Sequence, residues 1–169
     1  MNAEESINKW FTYFHHRMET EVPEIVAETA TEFFKETFVK QSWDGVPWQA
    51  LSPKWAAKKT RGKGRILRES GNLEASVKPS TITADKVVIS AGNEKVPYAR
   101  VHNEGLRLRG VRYVRAYHNS NFMGKGKRIQ IQSSTRKVDF KMPKRQFMGH
   151  SHLLNTALKE KLIKAFNTK

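Results

Sequence analysis

The sequence predicts an α+β protein, and three observations carry that prediction. Apolar residues recur three and four positions apart through the first forty residues and again near the C-terminus. From Asn72 onward the period falls to two. Helical and strand-like segments come in blocks instead of alternating, which is the α+β pattern. The chain has 169 residues, the length of one ordinary domain, and we read residues 1–169 as a single domain in four parts.

Residues 1–41 are read as N-terminal helices. Ile7, Trp10, Phe11, Phe14 and Met18 form one stripe; Val26, Ala30, Phe33, Phe34 and Phe38 form another. Pro23, between them, suits the first turn of a second helix or a kink. Both stripes are expected to be core.

Residues 42–70 form a Trp/Pro/Gly-rich loop, "SWDGVPWQALSPKWAAKKTRGKGR" and its flank. The Asp-Gly, Val-Pro and Ser-Pro pairs are turn signals, and Ser52 before Pro53 reads as an N-cap followed by proline at the first helical position. Trp43, Trp48 and Trp55 either anchor this loop to the body or form an exposed contact site. The residues alone leave both open. The charged, glycine-bearing segment 56–66 is expected to be mobile and to order on assembly.

Residues 71–150 are read as an antiparallel sheet. "LEASVKPSTIT" and "KVVISAG" make a hairpin turning at Ala84-Asp85, with Val77, Ile82, Val87 and Ile89 pointing inward. "VRYVRAYH" and "RIQIQSSTRKVDF" make a second pair, with "NSNFMGKGKR" as its loop, so that 106–142 is a long basic hairpin. Residues 151–169 close the chain as an amphipathic helix, with Ser151 as N-cap and Leu154, Leu158, Leu162 and Phe166 along one face.

The formal charge of +15 is unevenly placed. Residues 1–60 carry seven Lys/Arg against nine Asp/Glu, net −2, whereas residues 61–169 carry twenty-four against seven, net +17. A field of that kind attracts polyanions, nucleic acid or an acidic protein surface; the plainer reading is a solvated basic face. There is no cysteine, which excludes disulfides, thiolate metal sites and cysteine nucleophiles. The first residues are acidic and polar, unlike a signal peptide, and no run approaches the ~20 apolar residues of a membrane span, so a soluble protein with no membrane partner is expected.

The densest polar cluster is "YARVHNEG", Tyr98 to Gly105. As a metal site it fails: His102 and Glu104 lack a third ligand nearby, and H-E-x-x-H is absent. His150 and His152 make an equally bare pair. There is no G-x-S-x-G, and His-Asn at 102 and 118 is a two-dipeptide likeness to a His-Asn-His nuclease. "GKGKR" is not a Walker A element, lacking its spacing and terminal Ser/Thr. From Arg107 to Arg145 there are twelve Lys/Arg against one acid, Asp139, interleaved with Tyr113, Tyr117, Phe122 and Phe140. Cations with aromatics are the footprint of a nucleic-acid surface, and a stand-alone nucleic-acid-binding module is the alternative reading.

The order of landmarks carries more. "WQALSPKW", "ILRESGNLEASV", "VVISAG", "VPYARVHNEG" and "MPKRQFMGHS", followed by a terminal helix, resemble the phage virion morphogenesis, or tail completion, family of Mu-like and P2-like tailed phages. The likeness runs from about Trp48 to the C-terminus. It falls on Trp48, Leu51, Ser52, Pro53, Leu67, Gly71, Leu73, Tyr98, Ala99, His102, Gly105, Pro143, Arg145, Phe147 and Gly149. It implies a structural protein of the head–tail interface, in the neck or at tail completion, made in the bacterial host's cytoplasm and residing in the virion. It implies an oligomeric ring, a multiple of six, whose partners are itself, the neck or connector and tail proteins, and phage DNA in the channel. It assigns no catalytic residue, no metal and no cofactor. Under it "YARVHNEG" is architecture: a helical or turn-like segment ended by Gly105, with His102 a hydrogen-bonding packing residue near Arg145. Lys125, Lys127, Arg128, Arg136 and Lys137 are then the residues expected to meet DNA or an acidic neighbouring protein. Two features depart from the family pattern: the 37-residue basic stretch Leu106–Met142, where the family's link is often short, and the N-terminal helices, which lie outside the likeness.

Overall fold

A computed structural model describes residues 2–53, 56, 65–122 and 127–167. Its first element is a single helix, α1, Ala3–Lys40, 38 residues long and therefore about 57 Å from end to end. The two helices expected around Pro23 are one. Proline removes one backbone bond and crowds the preceding turn. Here Pro23 is buried against the body, and the apolar residues that follow it bind the helix down, so the chain stays helical through it. At the start, the Glu5 carboxylate accepts from the Asn2 N–H at 3.3 Å, half of a capping box.

The helix ends at Gln41, left-handed at φ 56, a role usually given to glycine. Its side chain explains the exception. The Gln41 amide donates to Phe38 O (2.6 Å) and Ile66 O (3.0 Å) and accepts from Ile66 N (2.7 Å), clamping the far end of the loop to the helix terminus. Next, β1 (Ser42–Trp43) and β2 (Val46–Pro47) form a small hairpin whose two-residue loop, Asp44-Gly45, has positive φ at both positions, the type I′ geometry that Asp-Gly favours.

A helical turn, α2 (Asn72–Ala75), then leads into β3 (Lys78–Ile82) and β4 (Val87–Ser90), paired antiparallel with a bulge between Pro79 and Thr81. The sequence reading had the strand begin at Leu73. Instead Gly71 turns the chain at φ 72, the Ser76 hydroxyl donates to Leu73 O at 2.7 Å, and Leu73 is driven into the core. Of the four positions read as inward, Val77 is fully buried and Ile89 packs on the core, Val87 is half-buried, and Ile82 is exposed at the end of the ladder.

After α3 (Ala99–Glu104) comes an arm of two ladders. β5 (Arg107–Val114) pairs with β8 (Ser134–Lys141) over eight consecutive residues, and β6 (Tyr117–Phe122) pairs with β7 (Lys127–Ile131). Asn119–Phe122, read as loop, belong to β6. The contacts of these strands are almost all with their own ladder partners. The single sheet expected over 71–150 is thus three separate two-stranded ladders among the described residues.

The last helix, α4 (His152–Asn167), runs against α1. Ser151 is its N-cap as read, its hydroxyl accepting from Leu154 N at 3.1 Å. Asp44 reinforces that cap from the β1–β2 turn, accepting from the Ser151 hydroxyl (2.5 Å) and the backbone N–H groups of His152 (3.3 Å) and Leu153 (3.4 Å). A carboxylate facing a helix N-terminus is electrostatically favoured. Its pKa is held below the ordinary value, first by the Ser151 hydroxyl.

The core gathers Phe34 and Phe38 from α1, Trp48, Leu73, Val77, Val96, Ala99, Phe147 and Leu154. Phe38 meets Phe147 with ring centroids 5.0 Å apart and the edge of Trp48 at 5.7 Å. Burying rings of this kind contributes roughly 1.5–3 kcal/mol each. The stripe before Pro23 does not share in it. Ile7, Trp10, Phe11, Phe14 and Met18 are all exposed, against the expectation that they were core, and Tyr13 beside them is exposed too.

Candidate functional site

Three segments named by the sequence likeness meet at α3. Tyr98 caps its start, Ala99 is buried, and Gly105 ends it in the left-handed conformation at φ 68. That turn exposes backbone to the segment 142–148, which is laced down along it. Met142 N donates to Leu106 O (3.0 Å), and Arg145 N donates to His102 O (2.9 Å). Asn103 Oδ1 accepts from both Phe147 N (2.9 Å) and Met148 N (3.0 Å). Gly105 lies so close to this strap that a Cβ there would stand 2.8 Å from Lys144 Cβ and 2.9 Å from its Cα.

The third segment joins from the other side. Trp48 Nε1 donates to Gln146 O at 2.7 Å, and the Arg145 guanidinium donates twice to Gln49 O at 3.3 and 3.1 Å. Arg145 is 5 % exposed, and its described hydrogen bonds go to a carbonyl, not a carboxylate. Burial pushes its pKa down. The His102 ring lies in the same pocket, and burial, then the charge of Arg145, push its pKa below the ordinary histidine value. His102 Nδ1 has no hydrogen-bond partner among the described residues.

Leu51, Leu67, Tyr98, His102, Met142 and Arg145 line a cleft of about 910 Å³ over this junction. Pro53 is exposed, Gly71 turns the chain before α2, and Pro143 lies on the strap. The junction offers a neutral-leaning imidazole and a buried guanidinium, with Ser52, Glu69 and Ser70 also on the cleft wall. Among the described residues no cluster of three His, Asp or Glu could hold a metal.

The cations of the arm form a second candidate surface. Asp139 is its only acid, and it is already taken: Arg107 grips it through two bonds at 2.6 and 3.0 Å, with Arg109 at 3.6 Å. Arg112 and Arg136 stand directly opposite each other in the β5–β8 register, like charges with no acidic partner among the described residues. Lys137 and Arg128 are likewise exposed, with no acidic partner among the described residues. Lys125, and the side chain of Lys127, lie outside the described residues, as do Trp55 and most of 56–66.

Sequence reasoning missed Gln41, Asp44 and Asn103, whose work is done through backbone partners far along the chain. No local pattern marks such residues. It also missed that the aromatic stripe before Pro23 is a surface.

The chain has no match among curated proteins and none among solved structures. Among the described residues no helix is long and apolar enough to cross a membrane. A family model does match, and it begins at residue 5, bringing inside the family the N-terminal helix that the sequence likeness left outside it. Over residues 5–167, nearly its whole length, this chain belongs to the phage virion morphogenesis family, whose members build the virus particle.

Proposed function

We propose that this protein is a structural part of the head–tail interface of a tailed phage, in the neck or at tail completion. It joins tail to head as a ring of identical copies, in a multiple of six, without catalytic turnover. The observation that carries this reading is the arm: two narrow two-stranded ladders rich in cations, of which only Arg107 and Arg109 meet an acid among the described residues. An isolated two-stranded ribbon is marginal in water, so such an arm is built to be covered in an assembly.

Its partners in this reading are neighbouring copies, connector and tail proteins, and the phage DNA that passes through the channel. Neutralising Lys125, Lys127, Arg128, Arg136 and Lys137 together leaves the buried core untouched and weakens head–tail attachment or DNA retention. Unchanged infectivity of that variant removes the arm from the reading.

The experiment that tests the whole is copy number per purified, DNA-filled particle, counted by quantitative mass spectrometry against the portal protein. One ring's worth supports a place in the finished interface. A count near zero overturns it. Binding to random DNA by the isolated protein, with a steep loss of affinity as salt rises, then favours the stand-alone nucleic-acid-binding module.

A further inference from the structure

Two exposed surfaces of this chain lack a cover, and they complement each other. The first is one side of α1. Phe14 meets Phe166 near the end of α4 (5.7 Å between centroids), and Arg17 donates to Ala165 O at 3.0 Å. The residues before Phe14 overhang that end by about three turns, roughly 16 Å. On the overhang Ile7, Trp10, Phe11 and Tyr13 are each more than half exposed, and Trp10 stacks only on its helix neighbours Phe11 and Phe14. Further along, Glu24, Glu28 and Glu32 stand one turn apart in an exposed line, with no basic partner among the described residues.

The second surface is the β5–β8 ribbon. One face of it carries the facing pair Arg112 and Arg136 together with Phe140 (45 % exposed) and the half-buried Leu108 and Val138, while Val111 and Tyr113 stand on the opposite face. Apolar groups and unpaired arginines on the ribbon match apolar groups and unpaired glutamates on the helix. The eight ladder residues span about 27 Å at 3.4 Å each, enough to cover most of the roughly 38 Å from Ile7 to Glu32 at 1.5 Å each. DNA would pair with the arginines but would leave the overhanging aromatics bare.

We propose that the ring contact is head-to-tail: the exposed side of α1 docks on the β5–β8 ribbon of the next copy, where Glu24, Glu28 and Glu32 neutralise Arg112 and Arg136. A contact between two different patches of the same chain propagates around a circle, which is how a closed ring forms. The inference rests on the ring reading above and names the surfaces that make it.

The test uses the purified full chain, nuclease-treated, with mass measured by light scattering and native mass spectrometry. The wild type is expected to form an oligomer. A helix variant (Glu24→Lys, Glu28→Lys, Glu32→Lys) and a ribbon variant (Arg112→Glu, Arg136→Glu) are each expected to fall to the mass of one chain. Mixed in equal amounts they are expected to recover the oligomer, because each reversed surface then meets its complement. Since the chain has no cysteine, a Glu28→Cys, Arg136→Cys double variant provides a geometric check: oxidation links copies into covalent multimers. Oligomers that persist in both reversed variants overturn the contact while leaving the ring intact. So does a mixture that stays monomeric while circular dichroism shows both variants folded. An oligomer that nuclease dissolves assigns the arginines to DNA and overturns the contact too. A wild type that stays a single chain, with a ring's worth still counted per particle, overturns this contact alone; a single chain with none per particle takes the ring reading with it.

Discussion

Gly105 and Gly71 share a backbone conformation, φ 68 and φ 72, but not an environment, and that difference makes a controlled experiment. Alanine at either must hold a left-handed residue, which costs roughly 1–2 kcal/mol. It regains about 0.4–1 kcal/mol by restricting the unfolded chain. At Gly71 that is the whole effect, because a Cβ there meets nothing within 4 Å, so Gly71→Ala destabilises by about 0–1.6 kcal/mol. At Gly105 the Cβ lands 2.8–3.0 Å from the backbone and Cβ of Lys144, which cannot rotate aside. The strap must lift, straining the Arg145 N–H bond to His102 O and the Phe147 and Met148 bonds to Asn103. Overpacking of this kind costs about 1–3 kcal/mol and a weakened hydrogen bond about 1 more. Gly105→Ala should therefore exceed Gly71→Ala by about 2 kcal/mol or more. With a urea slope of roughly 1–3 kcal/mol per molar, the two midpoints separate by about 0.7–2 M. Coincident midpoints in urea unfolding followed by tryptophan fluorescence would refute the packing of 142–148 onto α3.

Other outcomes follow from the same geometry. Phe147→Ala empties a fully buried site against Phe38 and should cost about 3–5 kcal/mol, read as a midpoint shift in thermal or urea unfolding, whereas Phe140→Ala, on the exposed ribbon, should stay within about 0.5 kcal/mol. Ser151→Ala removes the cap of α4 together with its bond to Asp44, an expected loss of about 0.5–2 kcal/mol with the greatest loss of hydrogen-exchange protection in the first turn of that helix. The lowered pKa of His102 sets a sign: its contribution is complete above the unfolded value of 6.5 and is lost as pH falls through the lower folded value, since the unfolded chain takes up the proton first. Wild-type stability should therefore drop between pH 7.5 and 5, and His102→Gln should flatten that part of the profile while leaving the later loss below 3.8 that belongs to Asp44.

The α+β class was legible because periodicity survives without knowledge of contacts: α4, its Ser151 cap and the β3–β4 pair lie where the spacing puts them. The Asp44-Gly45 turn was legible for a local reason, since few residue pairs tolerate positive φ twice in succession. What resisted reading depends on distant partners. Pro23 signals a helix end unless burial holds the chain through it, and burial is a tertiary fact. Leu73 alternates well enough for a strand over a window too short to separate a period of two from one of 3.6. The junction at α3 was foreshadowed by the grouping of Tyr98, His102, Gly105, Arg145 and Phe147, yet Asn103, which ties down two backbone groups at once, had nothing to mark it.

The stripe before Pro23 failed for a more general reason. Helical spacing of apolar residues reports that one side of a helix is to be covered; it is silent on which molecule provides the cover. Past Pro23 the cover is this chain's own core, and Phe34 and Phe38 vanish into it. Ahead of Pro23 the same kind of stripe stays exposed. The family model spans both halves of the helix, from residue 5 onward. A protein whose task is to assemble must carry apolar surface that its own fold leaves unburied, and a sequence reader who assigns every such stripe to the core will systematically erase the interface. The corrective lies in charge: Glu24, Glu28 and Glu32 line α1, while Arg112 and Arg136 of the arm have no acidic partner among the described residues. In the proposed contact, opposite charges kept apart within one chain, each beside uncovered aromatics, meet between chains.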